Sequence, residues 1–190
     1  MATDPDQIVI PGRTEVWLGT VGSTAPTTPT ATPGTGWFDV GLTTKDSLSF
    51  SEEPEFQDVE SAQSDYPTRT FQTKSGATVS VDLQQWNANN FTAAYGGGSV
   101  AAVVGSPGVY KFTPPALGAR AEKACLIKVT DGTKHYLYVI PRVMQKEGVT
   151  QDLNRGGEAK LPLKLSILGG DTGDPWYVIT DDPAFAPAES

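Results

Sequence analysis

One histidine, one cysteine and a run of carboxylates are the residues of this chain whose types could do chemistry. His135 follows Asp131-Gly-Thr-Lys134, and a Cys/His metal site or a Ser/His relay would have to rest on it. No partner stands at ligand or triad spacing, so a surface histidine on a strand is expected. Cys125 lies in the apolar run Ala124-Cys-Leu-Ile127. It has no second cysteine to pair with and reads as a small buried hydrophobe. Gly169-Gly-Asp-Thr-Gly-Asp174 has the look of an Asp-rich calcium loop, but the alternating oxygen ligands and closing Glu are missing, so a turn is expected. Gly96-Gly-Gly-Ser99 lacks the Lys of a phosphate loop and follows a helical pattern instead of opening one, which makes it a helix stop and flexible hinge. Asn90-Phe-Thr92 matches a glycosylation sequon, without a secretory signal to give it meaning.

The carboxylates are Glu52, Glu53, Glu55, Asp58 and Glu60, continuing to Asp65 with no Lys or Arg between. A glycosidase pair needs one carboxyl held protonated in an apolar pocket. A run this acidic is costly to bury and reads as solvated, so neither catalysis nor a cofactor or metal is expected. Phe56, Val59, Tyr66 and Phe71 are interleaved with the charge. The run is therefore either a disordered, solvated loop or an arm that orders on assembly, with those side chains to bury.

At 190 residues the chain is about the size of one domain and can bury a core without disulfides. Its 20 Gly and 15 Pro punctuate short Val-, Thr-, Tyr- and Phe-rich runs, an all-β composition. A net charge of -8 argues against tracking nucleic acid, which needs clustered Lys and Arg. Such a surface repels DNA, which is useful to a protein that surrounds DNA without gripping it. Residues 1–12 have no basic region followed by an apolar core, and no segment approaches a bilayer span. The chain is expected to fold in a cytoplasm and to avoid membranes.

Strands are expected over residues 14–21, 37–42 and 47–52, with a Thr/Pro/Gly-rich loop at 22–36 that cannot supply a regular ladder. Residues 69–74 and 77–85 read as a hairpin turning at Ser75-Gly76. Asn87 or Asn90 then caps a short helix containing Phe91, Ala94 and Tyr95, which Gly96 to Gly98 ends. Further strands are expected at 108–113, 123–130, 134–140, 142–148, 159–168 and 176–180, with Asp131-Gly132 as a hairpin turn. Pro162 marks an edge strand or a bulge.

The arrangement resembles the major tail tube protein of long-tailed, non-contractile bacteriophages. The likeness is carried by Thr14-Glu-Val-Trp-Leu-Gly19 with its Thr/Pro-rich loop, and by Trp37-Phe-Asp-Val-Gly-Leu42 leading to Leu48-Ser-Phe50. The acidic loop follows, then Val79-Ser-Val-Asp-Leu-Gln-Gln-Trp-Asn87 and Phe91-Thr-Ala-Ala-Tyr-Gly96. The resemblance implies an all-β, sandwich- or barrel-like fold with one short packed α-helix. It also implies a structural virion protein that self-assembles into stacked, hexameric rings, the conduit for DNA during ejection. Its partners would be further copies of itself and the tape measure, tail terminator and distal tail proteins, with DNA crossing the lumen unbound. On this reading residues 1–13 are a flexible arm, 14–181 the tube domain and 182–190 a flexible tail. The acidic loop or arm, residues 52–69, would reach a neighbouring ring through Glu52, Glu53, Glu55, Phe56, Asp58, Glu60, Asp65, Tyr66 and Arg69.

Thr78, Ser80, Asp82 and Gln84 are the expected lumen-facing residues, being the polar alternates of one strand. An exposed face on any sandwich would look the same. Two other readings stand beside the first. One is a β-sandwich decoration or glycan-binding module of a virion, with Trp17, Trp37, Trp86 or Trp176 stacking on sugars. The other is the tube protein of a contractile injection machine.

Overall fold

The computed structural model describes residues 5–170 and 173–187. Ten strands and one helix follow in order: β1 Arg13–Gly19, β2 Trp37–Asp39, β3 Ser49–Val59, β4 Arg69–Leu83, α1 Ala88–Ala94, β5 Ser99–Ala102, β6 Tyr110–Thr113, β7 Glu122–Asp131, β8 Lys134–Gln145, β9 Leu161–Ile167 and β10 Tyr177–Thr180. Eight of the strands form one antiparallel sheet in the order β2-β1-β7-β8-β9-β4-β3, with β10 also paired to β8, while β5 and β6 form a separate two-stranded sheet.

The sheet folds over on itself at β8. The first half of β8 pairs with β10 from Tyr136 to Val139, and its last residues pair with β9 from Val143 to Gln145. Pro141 falls between, where β8 changes neighbours and its missing N–H costs no ladder bond on that side. A bulge in β7 between Lys123 and Cys125 adds twist opposite the same point. Arg142 fixes the corner, donating to both oxygens of Glu122 and to the Gly169 carbonyl. The two strands expected at 134–140 and 142–148 are thus a single bent one.

Folding over brings the two halves of the sheet face to face. Val16, Leu18, Cys125, Ile127 and Ile140 from one half meet Val79, Val81, Leu83, Leu161, Leu163 and Leu165 from the other, all buried. Each such side chain contributes about 1.5–3 kcal/mol relative to exposure. The linker after β2 closes one end of the sandwich: Val40 N–H donates to Val16 O, Thr44 N–H to Asp82 O, and Gln84 N–H to Leu42 O. Helix α1 seals the same region with Ala93 and Ala94. Asn87 is its cap, accepting from Asn90 N–H at 2.9 Å. Asn90 is no cap: it is fully buried and its amide donates to Val40 O and Gln85 O. The sequon residue is therefore a core strut with no room for a glycan. Beyond α1, Gly96, Gly97 and Gly98 all take positive φ, which turns the chain straight into β5.

The outer face of β7 and β8 is covered by the Thr/Pro-rich loop. Leu126, Leu137 and Val139 are buried there under Trp17, Trp37, Ala25 and Ile179. The Trp37 indole holds the loop by donating to Thr24 O. Pro162 sits inside the order of strands, yet opposite Asp82 of β4 only, because β8 pairing begins at Leu165. It is locally an edge position, as a proline in a strand requires.

The hairpin expected to turn at Ser75-Gly76 is corrected. Strand β4 runs unbroken through both, with Ser75 opposite Pro54 and Gly76 opposite Glu53. The turn lies at residues 60–68, where Ser61, Ser64, Asp65 and Pro67 supply the turn chemistry. The β5–β6 hairpin was expected only in its second strand.

Candidate functional site

The acidic stretch is a β-hairpin arm. Beyond the Glu53–Gly76 pair, both strands are exposed on both faces, and β9 flanks β4 only from Thr78 onward. The arm is thus a two-stranded ribbon with two unpaired edges. Glu52, Glu53, Glu55, Phe56 and Asp58 lie on β3, Glu60, Asp65 and Tyr66 in the turn, and Arg69 opens β4. Glu53 and Glu55 share a face with Lys74, while Glu52, Phe56 and Asp58 share the other with Thr70 and Gln72.

Local polar bonds hold its shape. The Lys74 ammonium donates to Glu55 Oε1 at 2.6 Å, and this hydrogen bond and the carboxylate charge raise the Lys74 pKa. Thr70 Oγ1 donates to Asp58 Oδ1 at 2.6 Å. Thr68 donates through N–H and Oγ1 to Val59 O, and Ser64 Oγ donates to Tyr66 O. A bulge between Glu55 and Phe56 leaves Thr73 unpaired, its hydroxyl on Glu55 O. Among the described residues, Lys74–Glu55 is the single ion pair on the arm, leaving Glu52, Glu53, Asp58, Glu60, Asp65 and Arg69 without one. Phe56 is 62% and Tyr66 80% exposed.

Thr78, Ser80 and Asp82 on the outward face of β4, with Gln84 just past its end, form a half-buried row opposite to Val79, Val81 and Leu83 in the core. Across β3 the row continues as Ser49 and Ser51, and across β9 as Lys164 and Ser166. Gln84 donates to Glu158 Oε2, and Lys164 pairs with Glu147 at 2.7 Å. The result is a hydroxyl-rich strip with its cation already neutralised.

The residues that could do chemistry are otherwise engaged. His135 Nδ1 lies 2.8 Å from Asp181 Oδ2, and its N–H donates to Asp181 Oδ1. Burial would raise the Asp181 pKa, but these His135 bonds outweigh it and leave it lowered. Next along, the Tyr136 hydroxyl donates to buried Asp182, which also accepts from Ala184 N–H and pairs with Lys134 at 3.3 Å. The Asp182 bond pushes Tyr136 up to about 12, and the same bond lowers Asp182. Cys125 is fully buried, which pushes its thiol up to about 12. No group of three metal-ligating side chains occurs among the described residues, and no described helix could cross a membrane.

The amino-terminal segment meets this end too, with Ile10 N–H on Asp131 Oδ2 and Gly12 N–H on Thr130 O. Expectations for residues 1–4, 188–190 and the middle of the Gly169 to Asp174 turn lie outside the described residues. Trp17 and Trp37 pack against the outer cluster and Trp176 on Phe50, while Trp86 meets Phe91 edge-on and stays 44% exposed. The sequence reading missed the Tyr136–Asp182 bond, whose partners are 46 residues apart, and the β5 strand, although Gly105-Ser-Pro-Gly108 is a turn signal that could have found it.

An all-β body that extends an acidic, two-edged ribbon and holds its one histidine in a structural pair defines a protein built for assembly contacts. The chain matches the family model described as phage tail tube protein over residues 1–190, and it belongs to that family. No curated protein matches it. Membership makes it a structural component of the bacteriophage virion tail that assembles with itself and with other tail proteins.

Proposed function

We propose that this chain self-assembles into stacked, hexameric rings that form the tube of a phage tail, the conduit through which DNA passes during ejection. It is made in the host cytoplasm, performs no catalysis, and meets the tape measure, terminator and distal tail proteins at the ends and in the lumen of the tube. The observation that carries this reading is the β3–β4 arm. A free ribbon with two open edges is an aggregation hazard in a monomer, and pairing in a closed assembly removes it. Its unpaired carboxylates at Glu52, Glu53, Asp58, Glu60 and Asp65 suit a seat on Lys or Arg of a neighbouring ring. The strip of Thr78, Ser80, Asp82 and Gln84 suits the lumen, because uncharged hydroxyls and a carboxylate offer DNA no grip.

Negative-stain electron microscopy of the concentrated, purified protein tests this: hollow rings or tubes are expected, and a monomer at every concentration and salt sinks it. Replacing residues 53–76 by a two-residue Asn-Gly turn would join Glu52 to Ala77 without disturbing the body. A folded subunit that forms no tubes is expected, and tubes from this variant would remove the arm from the mechanism. Tight DNA binding at physiological salt would contradict the lumen assignment.

A further inference from the structure

The β5–β6 hairpin is the second element that leaves the body, and its chemistry is the reverse of the arm's. Between Gly96 and Ala119 the chain carries one charged residue, Lys111. The hairpin is rigidly built: Val103 N–H donates to Val109 O, Ser106 N–H to Val103 O, and Gly105 and Gly108 take positive φ at the turn. Its base is anchored by Phe112, whose ring packs on Phe91 and Tyr95 at 5.6 and 5.2 Å. Nevertheless its tip is apolar and exposed. Val104 is 99% exposed and Tyr110 72%, with Val109 beside them and Leu117 fully exposed in the following loop. A preorganised, exposed apolar patch marks a protein contact.

The same chain carries a seat of matching chemistry. The folded-over sheet leaves a cleft of about 770 Å³ between the start of β1 and residues 39–50. Its floor is apolar, formed by Leu48, Phe50, Ile127, Val129 and Tyr138, and Leu42 stands exposed at its mouth. Its rim is charged, with Arg13 and Lys45 against Glu15, Asp39 and Asp46. An apolar centre inside a polar rim is the anatomy of a protein interface.

We infer that the β5–β6 hairpin tip of one subunit inserts into the β1/39–50 cleft of a second copy, making the head-to-tail contact within a ring. Charge decides between the occupants the chain could offer. The acidic arm carries six carboxylates against Arg69 and Lys74 and meets a rim that is itself net negative, so it is repelled. The hairpin tip is uncharged and enters without that penalty, which matters between copies that each carry -8. A knob and a hole on different surfaces of one chain give a heterologous contact, and such contacts generate closed rings when the rotation closes. This inference rests on the tube reading and specifies which surfaces build the ring.

Mixing full-length Val104→Cys with full-length Leu42→Cys under mild oxidation tests it, since Cys125 is buried and does not compete. A disulfide-linked dimer is expected in the mixture and in neither variant alone. Dimers of Val104→Cys with itself would mean that knob meets knob, and would overturn the inference. So would linkage of Leu42→Cys to a Val9→Cys subunit with none to residue 104, which assigns the cleft to the amino-terminal segment. Val104→Asp is a companion, because so exposed a position leaves folding intact. It is expected to unfold at the wild-type temperature and to form no rings. Rings from Val104→Asp overturn the inference while the tube reading stands, whereas a wild type that never leaves the monomer overturns both.

Discussion

Strands β3 and β4 run through two environments with one bulge, at Glu55/Phe56 in the arm, and the contrast between their halves shows what an alternating pattern is worth. In the body half, Val79, Val81 and Leu83 are buried on one face and β9 flanks β4. In the arm half the same two strands are exposed on both faces and flanked by nothing. Both halves carry a backbone ladder, interrupted only by the bulge at Thr73, so it is chiefly burial that differs. A two-stranded ribbon is marginal in water, and the arm's cross-strand pairs, Glu55–Lys74 and Asp58–Thr70, are solvent-exposed and add little to it. The body fixes the arm's direction, and a neighbour must supply the rest of its stability.

The largest expected difference is in amide hydrogen exchange of the free subunit. Amides of Val79, Val81 and Leu83 should open only with global unfolding, while those from Arg69 to Lys74 should exchange through local fraying. Equal protection in the two halves would break the comparison, and protection of the arm appearing on assembly would sharpen it. Side-chain truncation gives the next difference. Leu163→Ala removes a fully buried side chain from the centre of the sandwich and should cost roughly 2–5 kcal/mol in denaturant unfolding. Phe56→Ala on the arm should cost less than about 0.5 kcal/mol yet weaken assembly. A large stability loss at Phe56 would mean that the arm packs on its own subunit.

Polar pairs give a third, pH-dependent difference. In the body, Tyr136 is held neutral by its bond to Asp182 and titrates near about 12, above the unfolded value of about 10. The unfolded chain then binds fewer protons than the native one between these limits, so stability is full below about pH 10 and falls as the pH rises toward 12. The buried Cys125 thiol acts in the same direction, starting lower, near about pH 8.5. Tyr136→Phe should make the loss between about pH 10 and 12 roughly half as steep, leaving the Cys125 share, and should not change the loss below pH 10, as followed by thermal melts from pH 8 to 12. An unchanged profile would detach the Tyr136–Asp182 bond from stability.

What the sequence disclosed follows the same division. Alternation in Thr78 to Leu83, the Asp131-Gly132 turn, the Asn87 cap and the Gly96 to Gly98 stop are local rules, and each stands in the structure where local chemistry puts it. The arm is legible in the sequence as a feature but not as a strand, since Glu52 to Val59 is acidic and its apolar Phe56 and Val59 do not alternate with period two, while Ser75-Gly76 offers a turn signal that competes with those at residues 60–68. Residues 134–140 and 142–148 read as two strands because a sequence does not reveal where one strand exchanges neighbours. The cleft and the Tyr136–Asp182 bond join residues far apart in the chain, and no spacing rule reaches them. The polar row of β4 was legible as a face, while what that face meets depends on other subunits.

The smallest expected effect is at Lys74, and it probes the arm as a charged surface. Lys74 and Glu55 touch at 2.6 Å, but their side chains are 63% and 60% exposed, so water and salt screen most of the attraction. Lys74→Ala should therefore leave the unfolding midpoint where it was, at low and at high salt. Assembly should respond differently. Removing the one cation paired on the arm frees Glu55 and makes the arm more negative, so docking onto a basic seat should quicken at low salt, with the gain vanishing as salt is raised. Light scattering during assembly reads this directly. A slower rate at low salt would place Lys74 itself in the contact and give the arm an acidic neighbour, reversing the polarity on which its role depends.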